Sequence, residues 1–424
     1  MKIRPSFLGS VGLLVYLTDS YVKLESSSMS IGYALKGRGQ MVFRGIAIFC
    51  LMVLFSGCFP PSEKKSMRDL KARLEIVDSL QLDVITSSLN LMDIHDSSGH
   101  LLFIETEPPV FYVVSQKGNV ILRKTLPVDG PESVGNSILS AEFFKDGVAL
   151  MGRKTINIYD KNFDFKQSLK IPSFPIGMVY LGFNHLQEAE INGAKYLTVF
   201  NGARTDFSAD QPEYYQQFNV MDYVNPNVGE FKPVGKLQPG SRYLDNKVHK
   251  FLKPAFHTTG PLIHYALDTD TVLYTIDLNT EAVVSAVKIP FDDFVLSSGL
   301  TMGREGADVQ SQPQDWPGRI TNLFYVNDLH VVLYNPGIKL SKIEALNGVY
   351  EGRALRDKYD SLNSKRYLIL KDGKRLNNDT NLSARLFDVV QVSPDGYLWA
   401  SQHVEWFEHE PDQVTFYKLK LLMD

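Results

Sequence analysis

The chain is poor in cysteine, in long apolar runs and in catalytic signatures, and each shortage narrows what it does. Only Cys50 and Cys58 occur in 424 residues. No disulfide framework is available, so stability rests on a large apolar core. No apolar run approaches the ~20 residues needed to span a bilayer as a helix. The stretch 7–17 is short and carries Gly9 and Gly12, and the run 45–55 is equally short. No nucleophile elbow, P-loop, dinucleotide fingerprint or zincin motif is present. Basic residues are not in excess either: 44 Lys and Arg stand against 48 Asp and Glu, a net charge of −4. That balance argues against nucleic acid, which requires a basic face. With 44% hydrophobic, 11% aromatic and 22% charged residues, the composition is globular rather than fibrous or disordered.

What is present begins at residues 41–58, MVFRGIAIFCLMVLFSGC. A short head carries Arg44, an apolar middle follows, and Ser56 and Gly57 come just before Cys58. This is the layout of a secretory signal. The ending Leu54-Phe55-Ser56-Gly57-Cys58 resembles the lipobox of bacterial lipoproteins, departing from it in having Phe55 where Leu, Val or Ile is usual. The resemblance implies a diacylglycerol on Cys58, cleavage before it and acylation of the new amino end, so that the chain has a membrane as partner through its lipid. Residues 1–40 then read as an upstream extension, with Met29 and Met41 as alternative starts, and 41–57 as the signal. Residues 58–72, with two prolines and mixed charge, form a tether, and 73–424 form the folded domain. Without its first 57 residues, six of them basic and two acidic, the chain carries −8. The stretch after Cys58 lacks the acidic run that favours surface display in lipoproteins of the Bacteroidetes type. The periplasmic side of the envelope is therefore preferred to the cell surface.

From Leu74 onward short apolar runs alternate with Gly, Asp, Asn and Pro turns, and long periodic helices are missing. One unit recurs, a turn followed by a four- to six-residue apolar strand. Its copies are marked by Gly99, Gly147, Gly193, Gly260, Leu329 and Gly396, spaced 48, 46, 67, 69 and 67 residues apart. Three following stretches, 110–127, 155–172 and 272–290, each read as a hairpin closed by a lysine-containing strand and a proline. Six units of four strands predict an all-β, six-bladed β-propeller, in which each unit buries its faces against its neighbours. An irregular β-sandwich is the alternative. Residues 73–82 supply an outer strand that closes the ring. Asp146-Gly147, Asp372-Gly373 and Asp395-Gly396 suit tight type I′ hairpin turns. The segment Ser393-Pro394-Asp395-Gly396-Tyr397 resembles the turn of TolB-like propeller repeats. Together with the lipobox, the units resemble a family of Bacteroidetes lipoproteins with a six-bladed, TolB-like propeller and no settled biochemical role.

Candidate sites are few. A metal-dependent lactonase- or lyase-like enzyme would place polar groups on the channel-lining strands. The strand after each turn instead offers Leu102, Phe103, Ala149, Leu150, Leu262, Ile263, Val331 and Val332, so an apolar channel is expected and no catalytic residue, metal or cofactor is implied. His403 and Glu405 would share a strand face in the polar cluster 403–410, and Asp93, His95 and Asp96 read as turn residues. Two inserts, 203–223 and 300–316, are where recognition usually sits. They point to Tyr214, Tyr215, Trp316 and Arg319 as ligand-binding residues. The function expected is a membrane-anchored, non-catalytic envelope propeller that binds a protein or glycan partner.

Overall fold

The computed structural model describes residues 72–83, 89–106, 109–130, 132–135, 138–172, 186–200, 207–209, 211–249, 252–301, 314–406 and 413–423. The lipobox and Cys58 lie outside them. Six antiparallel sheets follow one another along the chain as the blades of a propeller. Blade 1 comprises Leu89–Ile94, Leu101–Thr106, Pro109–Val114 and Val120–Thr125, and blade 2 comprises Ile138–Phe144, Gly147–Gly152, Thr155–Asp160 and Phe165–Lys170. Blade 3 is Leu186–Ile191, Ala194–Val199, Asn219–Asn225 and Glu230–Lys236, and blade 4 is Pro254–Thr259, Leu262–Leu267, Val272–Asp277 and Ala282–Lys288. In blade 5, Arg319–Val326, Leu329–Asn335 and Arg366–Lys371 are flanked by the two short strands Lys374–Arg375 and Thr380–Asn381. Blade 6 takes Leu386–Val392, Tyr397–Gln402 and Val414–Met423 from the C-terminal end of the chain. Its outermost strand is Ala72–Leu82, which runs antiparallel to Val414–Met423 from Ala72↔Met423 to Leu82↔Val414. The expected closing strand is therefore present, and it joins the first described strand to the last in one sheet.

The continuous apolar runs have a direct cause. In the second strand of a blade both faces are covered, so alternation of side chains sends neighbours into two different cores. Leu101 and Phe103 face blade 6, whereas Leu102 and Ile104 face blade 2. Six apolar clusters result, one between each pair of consecutive blades. The outer strands see protein on one side only, and Val120–Thr125 and Ala282–Lys288 alternate accordingly between exposed and half-buried residues.

The frame of the repeat differs from the sequence reading. The strand after each turn marker is the second of its blade, and the channel-lining strand lies before the turn. The channel is consequently lined by Leu89–Ile94, Ile138–Phe144, Leu186–Ile191, Pro254–Thr259, Arg319–Val326 and Leu386–Val392. These strands carry polar residues, which corrects the expected apolar channel. The frame slips because the innermost strand covers one side with protein and leaves the other to the channel, so its apolar signal is weaker.

Of the three Asp-Gly turns, Asp372-Gly373 has positive φ at both residues, +49° and +72°, as type I′ requires. Asn192-Gly193 and Asn327-Asp328 share this geometry. At Asp395-Gly396 only the glycine is left-handed, and its N–H donates to the Ser393 carbonyl at 2.8 Å. In the Asp146-Gly147 turn the left-handed residue is Lys145. Gly147 already belongs to the strand, where a Cβ would stand 2.0 Å from the Tyr159 carbonyl oxygen.

Strand direction sorts the connections onto two faces. The turns between first and second strands, and between third and fourth, are mostly tight and share one face. Connections between second and third strands, and from blade to blade, share the other. The described parts of the long inserts start and end on this second face: the blade 3 insert with helix α1 (Pro212–Gln217), those after Lys236 and after Lys288, the blade 5 insert 336–365 with helices α2 (Leu340–Asn347) and α3 (Gly352–Leu362), and the one after Gln402. The two blade-to-blade inserts are tied together by a small sheet pairing Lys247–Val248 with Leu300–Thr301. Ala72 enters at the opposite, short-turn face, where its N–H donates to the Leu376 carbonyl at 3.0 Å.

Candidate functional site

Five polar side chains of the channel join one blade to the next. Phe143 N–H of blade 2 donates to Asp93 Oδ2 of blade 1 at 2.6 Å, and Glu188 N–H of blade 3 donates to Glu142 Oε1 of blade 2 at 3.0 Å. Gln187 accepts from Thr258 N–H at 2.6 Å and donates to the Phe256 carbonyl at 3.2 Å, linking blades 3 and 4. Asn322 Nδ2 donates to the Val389 carbonyl at 2.7 Å, and Gln391 Nε2 donates to the Met92 carbonyl, closing blade 6 onto blade 1. Between blades 4 and 5 the channel-side contact is aromatic, with the His257 ring 6.3 Å from that of Phe324 at a steep angle. Each brace satisfies a backbone group that faces the channel rather than a sheet neighbour.

Enclosure perturbs the charges held there. Burial pushes the Asp93 carboxyl up to about 7, with Asp96 and Glu188 adding to the rise and the Phe143 N–H opposing it. Glu142 is held well above the usual carboxylate range, first by burial and then by Asp93. On the other side of the ring, burial lowers His257, His264 and His330 to about 4 each. His264 Nδ1 and His330 Nε2 share a 3.0 Å hydrogen bond between blades 4 and 5, and the His264 ring stacks on Tyr325 at 4.2 Å. Among the described residues no group of three or more His, Cys, Asp or Glu side chains could hold a metal ion.

At the insert-bearing mouth of the channel, charged side chains meet from blades 4, 5 and 6. Arg319 lies 4.0 Å from Asp268, and Lys365 Nζ lies 2.7 Å from Asp388 Oδ2. Burial raises Asp268 to about 6 against the pull of Arg319 and Lys253, and lowers Lys253. Around this mouth stand the exposed Trp and Phe side chains of the described residues: Trp316 (48% exposed), Phe387 (62%) and Trp406 (53%). Trp316 is held by reciprocal 2.8 Å backbone hydrogen bonds with Ile338 and rests on Tyr359 of α3, ring centroids 5.1 Å apart. Asp315 accepts the Leu340 N–H at the start of α2, at 2.7 Å. Phe387 is flanked by Lys365 and by the His403 ring.

The residues singled out in the sequence are not gathered into one site. Trp316 and Arg319 are exposed at the mouth. Tyr214 and Tyr215, only 1% and 2% exposed, lie in the core between blades 3 and 4, out of reach of a ligand arriving from solvent. The Tyr215 hydroxyl accepts from His249 N–H at 2.7 Å and donates to the Ala209 carbonyl at 2.8 Å, so it pins two inserts to the rim. Tyr223 belongs to a strand of blade 3 rather than to the insert. His403 and Glu405 do not share a strand face, because the strand ends at Gln402 and the chain turns into the 3-10 segment Val404–Trp406. His95 does shape a turn, accepting from the Ser97 N–H at Nδ1 and from the Gly99 N–H at its carbonyl. Asp93, however, lies in the channel. Sequence reading missed Phe387, although its place between Leu386 and Asp388 in an alternating strand marks it as outward-facing.

No known family model and no curated protein sequence matches this chain. Its fold is that of solved structures from Bacteroides. A member of the DUF4221 family from Bacteroides vulgatus superposes with a TM-score of 0.59 at 9% identity, over 84% of this chain and all of that one. A protein of Bacteroides fragilis named as exported gives a TM-score of 0.50 at 12% identity, over 83% of this chain and 96% of the other. At such identities the likeness shows a shared six-bladed fold.

Proposed function

We propose that this protein is a lipid-anchored envelope propeller that takes up a protein or glycan partner on its insert-bearing face. The observation that carries the reading is the asymmetry of the ring. Among the described residues, the long inserts and all three exposed Trp and Phe side chains fall on one face, while the other is built of short turns. A rigid scaffold that concentrates loops and aromatic planes on one side is built for recognition. The channel groups Asp93, Glu142, Gln187, Asn322 and Gln391, by contrast, are engaged in interblade hydrogen bonds, which supports the binding role over the channel enzyme. Two further points support the anchor: the lipobox-like ending at Cys58 and the naming of a structural neighbour as an exported protein. Ala72 enters at the short-turn face.

Labelling cells with an alkyne fatty acid tests the anchor: the native chain is expected to take up label and Cys58→Ala to lose it. Label that persists in the variant would remove Cys58 as the lipid site. The binding face is tested separately. Membrane pull-downs and a polysaccharide panel are compared between the native protein and Trp316→Ala/Trp406→Ala, with Arg319→Gln as a third variant. Equal retention of every partner by variants that melt like the native protein would sink the proposed face.

A further inference from the structure

On the same face, away from the aromatic mouth, residues 128–130 and 133–135 of a blade-to-blade loop and the turn Gly152–Thr155 of blade 2 enclose an open concavity of about 400 Å³. Its lining is unusual in charge. Arg153 and Lys154 form one wall, and neither side chain has a hydrogen bond or an ion pair among the described residues. Asp129 is the single carboxylate of the lining, and Ser133 and Thr155 add hydroxyls. The facing loop is held in place from below. Asn157 and Tyr159, both fully buried, reach the Glu132 carbonyl, Asn157 Nδ2 at 3.2 Å and the Tyr159 hydroxyl more closely. Ser133 N–H donates to the Gly130 carbonyl at 3.2 Å, and Gly135 N–H to Ser133 Oγ at 2.8 Å. Gly152 lets loop and turn meet, since a Cβ there would lie 2.2 Å from the Val134 carbonyl oxygen. Two buried polar side chains thus hold a loop opposite two cations that have no ion pair among the described residues. A fixed loop facing two such cations is pre-organised for a charge-assisted ligand.

We propose that this concavity binds a small oxyanion (a phosphate, sulfate or carboxylate group), with Arg153 and Lys154 as its charge partners. Arg153 offers the planar fork that matches such a group in two hydrogen bonds, and Lys154 adds a point charge beside it. The volume leaves room for a sugar-sized body behind the anionic group. This inference stands apart from the aromatic mouth, sharing none of its residues, so either can fail alone.

The test is isothermal titration of the purified full-length protein with inorganic phosphate, sulfate and glucuronate at constant ionic strength, with thermal melts of every variant as a check on folding. Saturable binding of at least one probe is expected, and which probe binds best tells the sources apart. Arg153→Gln/Lys154→Gln is expected to weaken binding about tenfold or more, the usual result of losing charge-assisted hydrogen bonds. Asp129→Asn should tighten binding, since it removes the only competing carboxylate. No saturable binding by any probe would overturn the proposal, as would an unchanged affinity in the double variant. So would an Asp129→Asn affinity equal to or weaker than native.

Discussion

At the scale of single residues, the decisive groups are those whose neighbours are fixed by the ring. Glu142 accepts the Glu188 N–H across a blade junction while burial and Asp93 hold its carboxyl well above the usual range. A carboxyl whose folded pKa is raised binds its proton more tightly folded than unfolded. Its contribution to stability is therefore complete at low pH and declines as pH rises through the folded value. Glu142→Gln keeps the acceptor and removes the charge. Relative to the native protein its melting temperature is expected to rise by about 2 °C or more at pH 8 and by less at pH 5. Scanning calorimetry at the two pH values checks this, and a larger gain at pH 5 would contradict it. Gly147 is a second such residue. Because a Cβ there would meet backbone 2.0 Å away rather than a movable side chain, Gly147→Ala should destabilise by about 2–3 kcal/mol in urea titration.

At the scale of elements, the closing strand and the histidine junction make separate claims. Ala72–Leu82 lends Leu80 and Leu82 to the core between blades 6 and 1 and covers the edge of Val414–Met423. Removing residues up to 82 bares that edge and opens the ring. The truncated chain is expected to associate on size-exclusion chromatography, as unprotected edges do, whereas Leu82→Ala should stay monodisperse and lose about 2–4 kcal/mol. The pair His264–His330 joins blades 4 and 5 in neutral form. Its folded values, about 4, lie below the ordinary histidine range. The unfolded chain therefore binds protons first as pH falls, and stability is lost progressively from about pH 6.5 towards 4. The slope opposes that of the channel carboxyls. In His330→Phe the acid limb of the melting-temperature profile should flatten between these values, and an unaltered limb would show that the pair does not set it.

At the scale of the whole molecule, much was legible because a closed ring of repeats writes its physics locally. The all-β class, the six units, the hairpins 110–127, 155–172 and 272–290 and the closing strand all follow from short-range pattern. A doubly covered strand must be apolar throughout, and an outer strand must alternate. By itself the sequence also determined the lipobox-like ending at Cys58, which is a matter of local order alone. The tertiary structure decided what depends on partners distant in the chain. It set the frame of the blades, since the channel-lining strand has the weaker apolar signal. It placed Tyr214 and Tyr215 in a core, because the insert that carries them folds back onto blades 3 and 4 and aromatic rings look alike in sequence whether they bind or pack. It also turned Asp93, Glu142, Gln187 and Gln391 into braces whose partners stand 50, 46, 71 and 299 residues away. Finally, it brought Arg153 and Lys154 opposite a loop some twenty residues earlier. Antiparallel strand direction puts both connections on one face, and no local pattern of side chains encodes that meeting.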